Sequence, residues 1–136
     1  GSPIEVYGDG TQVSDCVYVE DVARVFVAAL EYTAQQGGAE TPLGVGPETS
    51  VTVNDIAEAV AFEAHYQTGL PQMDLIHLPM RPGEVPNAVV NADTETLKIL
   101  PREYWADTFK SLDEGIQETV HHYATNWLPG YLEGNR

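Results

Sequence analysis

Val13-Ser14-Asp15-Cys16-Val17-Tyr18-Val19-Glu20-Asp21-Val22-Ala23 contains the change of period that decides the fold. Over residues 13–19 β-branched and aromatic side chains alternate with others, which is strand spacing. From Val22 the period lengthens. Val22, Val25, Phe26, Ala29, Leu30 and Thr33 recur at helical intervals, and Asp21 stands where it could cap the first turn. A strand running into an amphipathic helix within one short stretch points to an α/β protein.

The flanking sequence extends this pattern. Residues 3–7 read as a strand, and Asp9-Gly10 between two strand-like runs predicts a hairpin, with Gly8 and Gly10 together permitting a looser turn. The helix should end at Gly37-Gly38, after which residues 42–46 read as a short strand. Thr52 and Asp55 form a capping-box signature ahead of Val53, Ile56, Ala57, Val60, Ala61 and Ala64, one face of a second helix. Residues 74–79 are a third strand candidate and 81–92 a loop. Asp93 should cap a short helix that Pro101 stops after Leu100. Ser111 and Glu114 open another helix, with Leu112, Ile116, Thr119, Val120, Tyr123 and Trp127 as its stripe and Pro129-Gly130 as its end. The expected fold class is α/β: one small mixed domain over residues 1–136, with short strands and about four helices.

Composition narrows the functional classes. With 43% hydrophobic and 20% charged residues the chain can bury a core, so it is not a disordered segment. No apolar run of about 18 residues occurs, so no membrane span is expected. Six Lys and Arg against 21 Asp and Glu give a net charge of −15, which repels nucleic acid and anionic lipid. The single Cys16 cannot form an internal disulfide and fits a reducing, cytoplasmic setting.

Self-contained catalysis is not legible. There is no Gly-x-Gly-x-x-Gly, and none of the seven tyrosines is followed four residues later by lysine. His121 and His122 are adjacent on a helix, so they point about 100° apart and cannot share a metal. Glu118 and His122 are spaced as a pair but lack a third ligand. Arg81 is the residue that stands out, because Pro82-Gly83 places it on a loop where its guanidinium could meet a phosphate. From composition alone an ion pair with one of the many carboxylates outweighs that role.

Taken in order, Tyr7-Gly8-Asp9-Gly10-Thr11-Gln12, Asp15 to Ala23, Gly44-Val45-Gly46, Arg81-Pro82-Gly83-Glu84, Asn91-Ala92-Asp93-Thr94 and Leu112-Asp113-Glu114-Gly115-Ile116 resemble the C-terminal, substrate-binding portion of the extended short-chain dehydrogenases, the family of NAD-dependent nucleotide-sugar epimerases and dehydratases. The resemblance implies the substrate-binding lobe of such an enzyme without its Rossmann lobe. NAD and the catalytic Tyr and Lys would belong to that missing lobe, so this chain alone would bind no cofactor and have no activity. Tyr7 would lie at the nucleotide base, Arg81 at the diphosphate and Glu84 at the ribose. Ser14 and Cys16 stand where the family usually has an Arg and an aromatic residue. Ser14 can donate one hydrogen bond to a phosphate but brings no charge. That loss costs about 1.5–3 kcal/mol and leaves a nucleoside diphosphate sugar weakly held or selects another head group. The implied partners are that sugar nucleotide and either the Rossmann lobe or a second copy of the chain covering the helix at 22–36. The alternative is a non-catalytic binding or interaction protein derived from the family.

Overall fold

The computed structural model describes residues 2–37, 41–105 and 109–130. Strand β1 (Ile4–Tyr7) pairs in parallel with β4 (Leu75–Leu78), Ile4 opposite Leu75 and Tyr7 opposite Leu78. A separate three-stranded sheet has β2 (Val13–Ser14) at its centre, antiparallel to β3 (Val51–Thr52) and parallel to β5 (Val89–Val90). Three α-helices, α1 (Val19–Gln36), α2 (Val53–Thr68) and α3 (Leu112–His122), join 3₁₀ turns at Thr94–Ile99 and Arg102–Tyr104. The mixed α/β class with short strands and about four helices is what the sequence indicates.

Asp9-Gly10 does not make a hairpin, because β1 and β2 lie in different sheets. The turn carbonyls are used elsewhere. Gly10 O accepts from Asn54 N and Gln12 O from Val53 N, satisfying donors that the start of α2 leaves open. Both Gly8 (φ +81°) and Gly10 (φ +74°) adopt the left-handed conformation of a looser turn.

Residues 42–46 form no strand; instead the chain passes closely against residues 92–96. Gly44 N donates to Thr96 Oγ1 at 2.7 Å, and a Cβ on Gly44 would come within 2.7 Å of Asp93 O. At Gly46 a Cβ would strike the Asp15 carboxylate, whose Oδ2 accepts from Ala92 N at 2.8 Å. Close backbone approach, not strand pairing, explains both glycines. Conversely, Val89 and Val90 form a strand inside the stretch read as loop, too short to show a period.

Helix α1 begins one turn earlier than its periodicity suggests. Tyr18 is its N-cap and makes no side-chain cap. Asp21 is instead buried at 1% exposure, accepting from Lys110 N at 2.8 Å and pairing with Arg24 Nη2 at 2.8 Å. Gly37 ends the helix at φ +83°, as expected, while Gly38 lies outside the described residues. Val25 and Ala28 of α1 pack on Leu97 and Leu100, with Leu43, Val45, Tyr104, Trp105 and Phe109 around them. Phe26 and Leu30 do not join this core. They remain about 70% exposed on the opposite face.

Both capping boxes form as read: Thr52 with Asp55 and Ser111 with Glu114. Asp93 precedes a 3₁₀ helix and gives it no side-chain cap. Beyond α3 a π turn spans Tyr123–Trp127 and helix continues over 128–130, up to Pro129-Gly130, and the residues that follow lie outside those described. The wide turn falls where the Pro129 ring would otherwise meet the carbonyl four residues back.

Candidate functional site

Parallel pairing sends the C-terminal ends of β1 and β4 out on the same side, the usual place for a ligand beside parallel strands. Tyr7 closes β1, and Met80, two residues past β4, presses against Gly8. Arg81 therefore lies directly over Tyr7, its Cζ 4.5 Å from the ring centroid. Arg81-Pro82-Gly83-Glu84 then turns back sharply. Glu84 N donates to Arg81 O at 3.2 Å and Gly83 has φ +89°, the pattern of a type II turn with Pro and Gly at its two centres. The turn brings Glu84 Oε1 to 2.7 Å from Arg81 Nε.

The guanidinium is thus held on one face and one edge. Among the described residues neither of its terminal nitrogens has a partner, and the side chain is 60% exposed. Four N–H donors face outward in the planar fork that matches a phosphate. At this exposure the Arg81–Glu84 pair adds little stability, so its effect is on geometry.

Three of the five residues singled out from the sequence therefore come together: Tyr7, Arg81 and Glu84. Ser14 sits half-buried in the middle strand β2, and Cys16 lies just past it; no hydrogen bond or ion pair joins either to that trio among the described residues. Cys16 lines a different groove of about 550 Å³ between the start of α1 and α3. Burial, and then Asp15, push its thiol pKa up, which disfavours the thiolate.

That second groove contains a cluster the sequence reading did not find. Lys110 Nζ lies 4.2 Å from the Tyr18 ring centroid, 2.6 Å from Glu118 Oε1 and 3.7 Å from Glu20 Oε2. The hydrogen bond to Glu118 raises the pKa of Lys110, and Lys110 and then Tyr18 lower that of Glu118. The Tyr18 hydroxyl is raised chiefly by its hydrogen bond to Glu118. The cluster fastens the N-terminus of α3 to that of α1 and leaves its cation paired. The one sequence signal was Lys110 immediately before a capping box.

Among the described residues no group of three or more His, Cys, Asp or Glu is placed to hold a metal ion. No described helix is long and apolar enough to cross a membrane. No glycine lies between β2 and α1, and α2 follows β3 without a loop, so neither of these two junctions is a glycine-rich turn.

Residues 1–42 match the NAD dependent epimerase/dehydratase family. A dTDP-glucose 4,6-dehydratase of Xanthomonas campestris pv. campestris is 26% identical over 99% of this chain, which spans only 38% of that enzyme. Among solved structures, the dTDP-glucose 4,6-dehydratase of Bacillus anthracis, in complex with NAD, superposes with a TM-score of 0.62 at 22% identity, over 95% of this chain and 38% of that one. The UDP-glucuronic acid 4-epimerase of Bacillus cereus, also in complex with NAD, gives 0.60 at 22%, over 88% and 35%. The resemblance drawn from the motifs holds: the chain is similar to part of an NAD-dependent epimerase or dehydratase and shares its fold there.

Proposed function

We propose that this chain is the substrate-binding part of an NAD-dependent nucleotide-sugar epimerase or dehydratase and holds a nucleoside diphosphate sugar through Arg81. NAD and the groups that transform the sugar would lie in a Rossmann lobe elsewhere in a longer protein, since the chain spans little more than a third of the relatives it matches. The observation that carries the reading is the state of Arg81. In a chain of −15 net charge, its guanidinium is fixed by Tyr7 and Glu84 with both terminal nitrogens open. A bidentate diphosphate contact is the strongest interaction such a fork makes. The role of these residues is to position the substrate, which lowers the entropic barrier to chemistry done by others.

Titration of the chain with UDP-glucuronate or dTDP-glucose tests this. Weak saturable binding is expected, and Arg81→Ala should reduce affinity about ten- to a hundred-fold, the worth of a charge-assisted hydrogen bond. Equal affinity in the variant would overturn the assignment. A binding or interaction protein derived from this family without its chemistry is a second reading, favoured by Ser14, which brings no cation to β2.

A further inference from the structure

We propose that the groove between α2 and α3 is a docking surface for a basic amphipathic helix of a partner protein, held by Phe62, Tyr66 and the carboxylates that border them. This surface is independent of the ligand proposed for Arg81.

Helices α2 and α3 start at the same end of the molecule. Leu112 and Asp113, in the first turn of α3, line a groove of about 480 Å³ with Glu58, Ala59, Phe62 and Glu63 of α2. Further along, Gln67 Nε2 donates to Gln117 O at 2.9 Å and ties the two helices together. The buried side of α2 carries Ala57 and Ala61. Phe62 and Tyr66, one turn apart, are instead 56% and 72% exposed. Their rings are stacked, with centroids 6.2 Å apart and planes 8° from parallel, so they present one continuous apolar surface. A single exposed aromatic residue needs no explanation, but a stacked pair bordering an interhelical groove is suited to receive the apolar face of a helix.

The charge around the groove selects the occupant. Asp55, Glu58 and Glu63 on α2 and Asp113, Glu114 and Glu118 on α3 make six carboxylates, and neither helix has a Lys or Arg. Four of the six are engaged within the chain. Asp55 and Glu114 complete capping boxes, Glu63 accepts from Gln67, and Glu118 is held by Lys110. Glu58 and Asp113, which reach the groove from different helices, have no side-chain partner among the described residues. A second copy would bring the same carboxylates to this face and be repelled. A helix bearing Lys or Arg answers the two open carboxylates and can also set its cations on the ring faces.

Calorimetry with three capped peptides of about 20 residues, long enough to form a helix, tests this. The first is an amphipathic pattern of Leu and Lys, the second has Ala for every Leu, and the third has Glu for every Lys. The Leu–Lys peptide should bind saturably, the Ala–Lys peptide at least about ten-fold more weakly, and the Leu–Glu peptide not at all. Phe62→Ala combined with Tyr66→Ala should weaken the Leu–Lys peptide about ten-fold or more, and because both side chains are mostly exposed the helix core is kept. Glu58→Gln with Asp113→Asn should also weaken it and reduce its salt dependence. Glu5→Gln with Glu103→Gln removes the same charge from exposed positions elsewhere and should change affinity by less than about two-fold, as should Phe26→Ala on α1. Equal weakening by the two charge pairs would reduce the contact to the general field of an acidic chain and overturn the proposal. Binding unaffected by the Phe62 and Tyr66 substitutions, or no binding of the Leu–Lys peptide, would overturn it too. Self-association abolished by those same two substitutions would assign the face to a second copy instead.

Discussion

Asp21 shows what one residue can do that a linear reading misplaces. Its position at the start of an apolar stripe suggests a helix cap, but its real partners are the Lys110 backbone, 89 positions away, and the Arg24 guanidinium. A partner 89 positions away leaves no local trace. Asp21→Ala would leave the Lys110 N–H without its acceptor and remove the buried carboxylate that pairs with Arg24, at a cost of about 2–4 kcal/mol. Urea unfolding should show that loss, and a change below 0.5 kcal/mol would mean the buried carboxylate is not a strut. The same distinction applies to Gly46. It reads as part of a motif, yet the physical demand for glycine comes from Asp15, which fills the space a Cβ would need while holding Ala92 N. Gly46→Ala should cost about 1–3 kcal/mol through steric strain and the displaced hydrogen bond. Arg81, by contrast, was legible as a residue, since Arg-Pro-Gly-Glu dictates a turn that returns its fourth residue to its first. The contact with Tyr7 was not, because it depends on β1 pairing with β4.

At the scale of elements, legibility followed locality. Both capping boxes and the C-terminal glycine of α1 are contained within a few residues and appear as read. The Asp9-Gly10 hairpin fails because its carbonyls are taken by the first turn of α2, more than 40 residues on. The two boxes also give α2 and α3 an acid dependence. Hydrogen bonds from Thr52 lower the pKa of Asp55, and those from Ser111 lower that of Glu114. A carboxyl whose folded pKa is depressed contributes stability that is present above its unfolded pKa and lost as pH falls through the folded one. Stability should therefore decline on acidification below about pH 4.5. Thr52→Ala and Ser111→Ala should each cost about 1 kcal/mol at neutral pH and flatten that decline. Denaturation midpoints at several pH values measure both effects, and an unchanged slope in the double variant would show that other carboxylates control the acid response.

The whole molecule has a helix that is apolar on two sides. One side of α1 closes the core with Leu97 and Leu100, while the other exposes Val19, Phe26, Val27 and Leu30. Such a helix is suited to burial on both faces. In the proposed full protein that second face would lie against the Rossmann lobe. In the isolated chain, covering it with a second copy is worth several kcal/mol at about 25 cal/mol per Å². The charge of −15 on each copy opposes association, so self-association should strengthen as salt screens it. Sedimentation at tens of micromolar protein should show a dimer favoured at high salt and weakened by Phe26→Glu. A monomer at both salt concentrations would mean this face tolerates water.

The division of labour between a substrate-side chain and a cofactor-side lobe is tested most directly by titrating the same preparation with UDP-glucuronate and with NAD. Both ligands carry a diphosphate, but only the first belongs at Arg81 in this proposal. Saturable binding of the sugar nucleotide is expected, with no saturation by NAD at micromolar concentrations. Micromolar binding of NAD, or no binding of the sugar nucleotide, would contradict it.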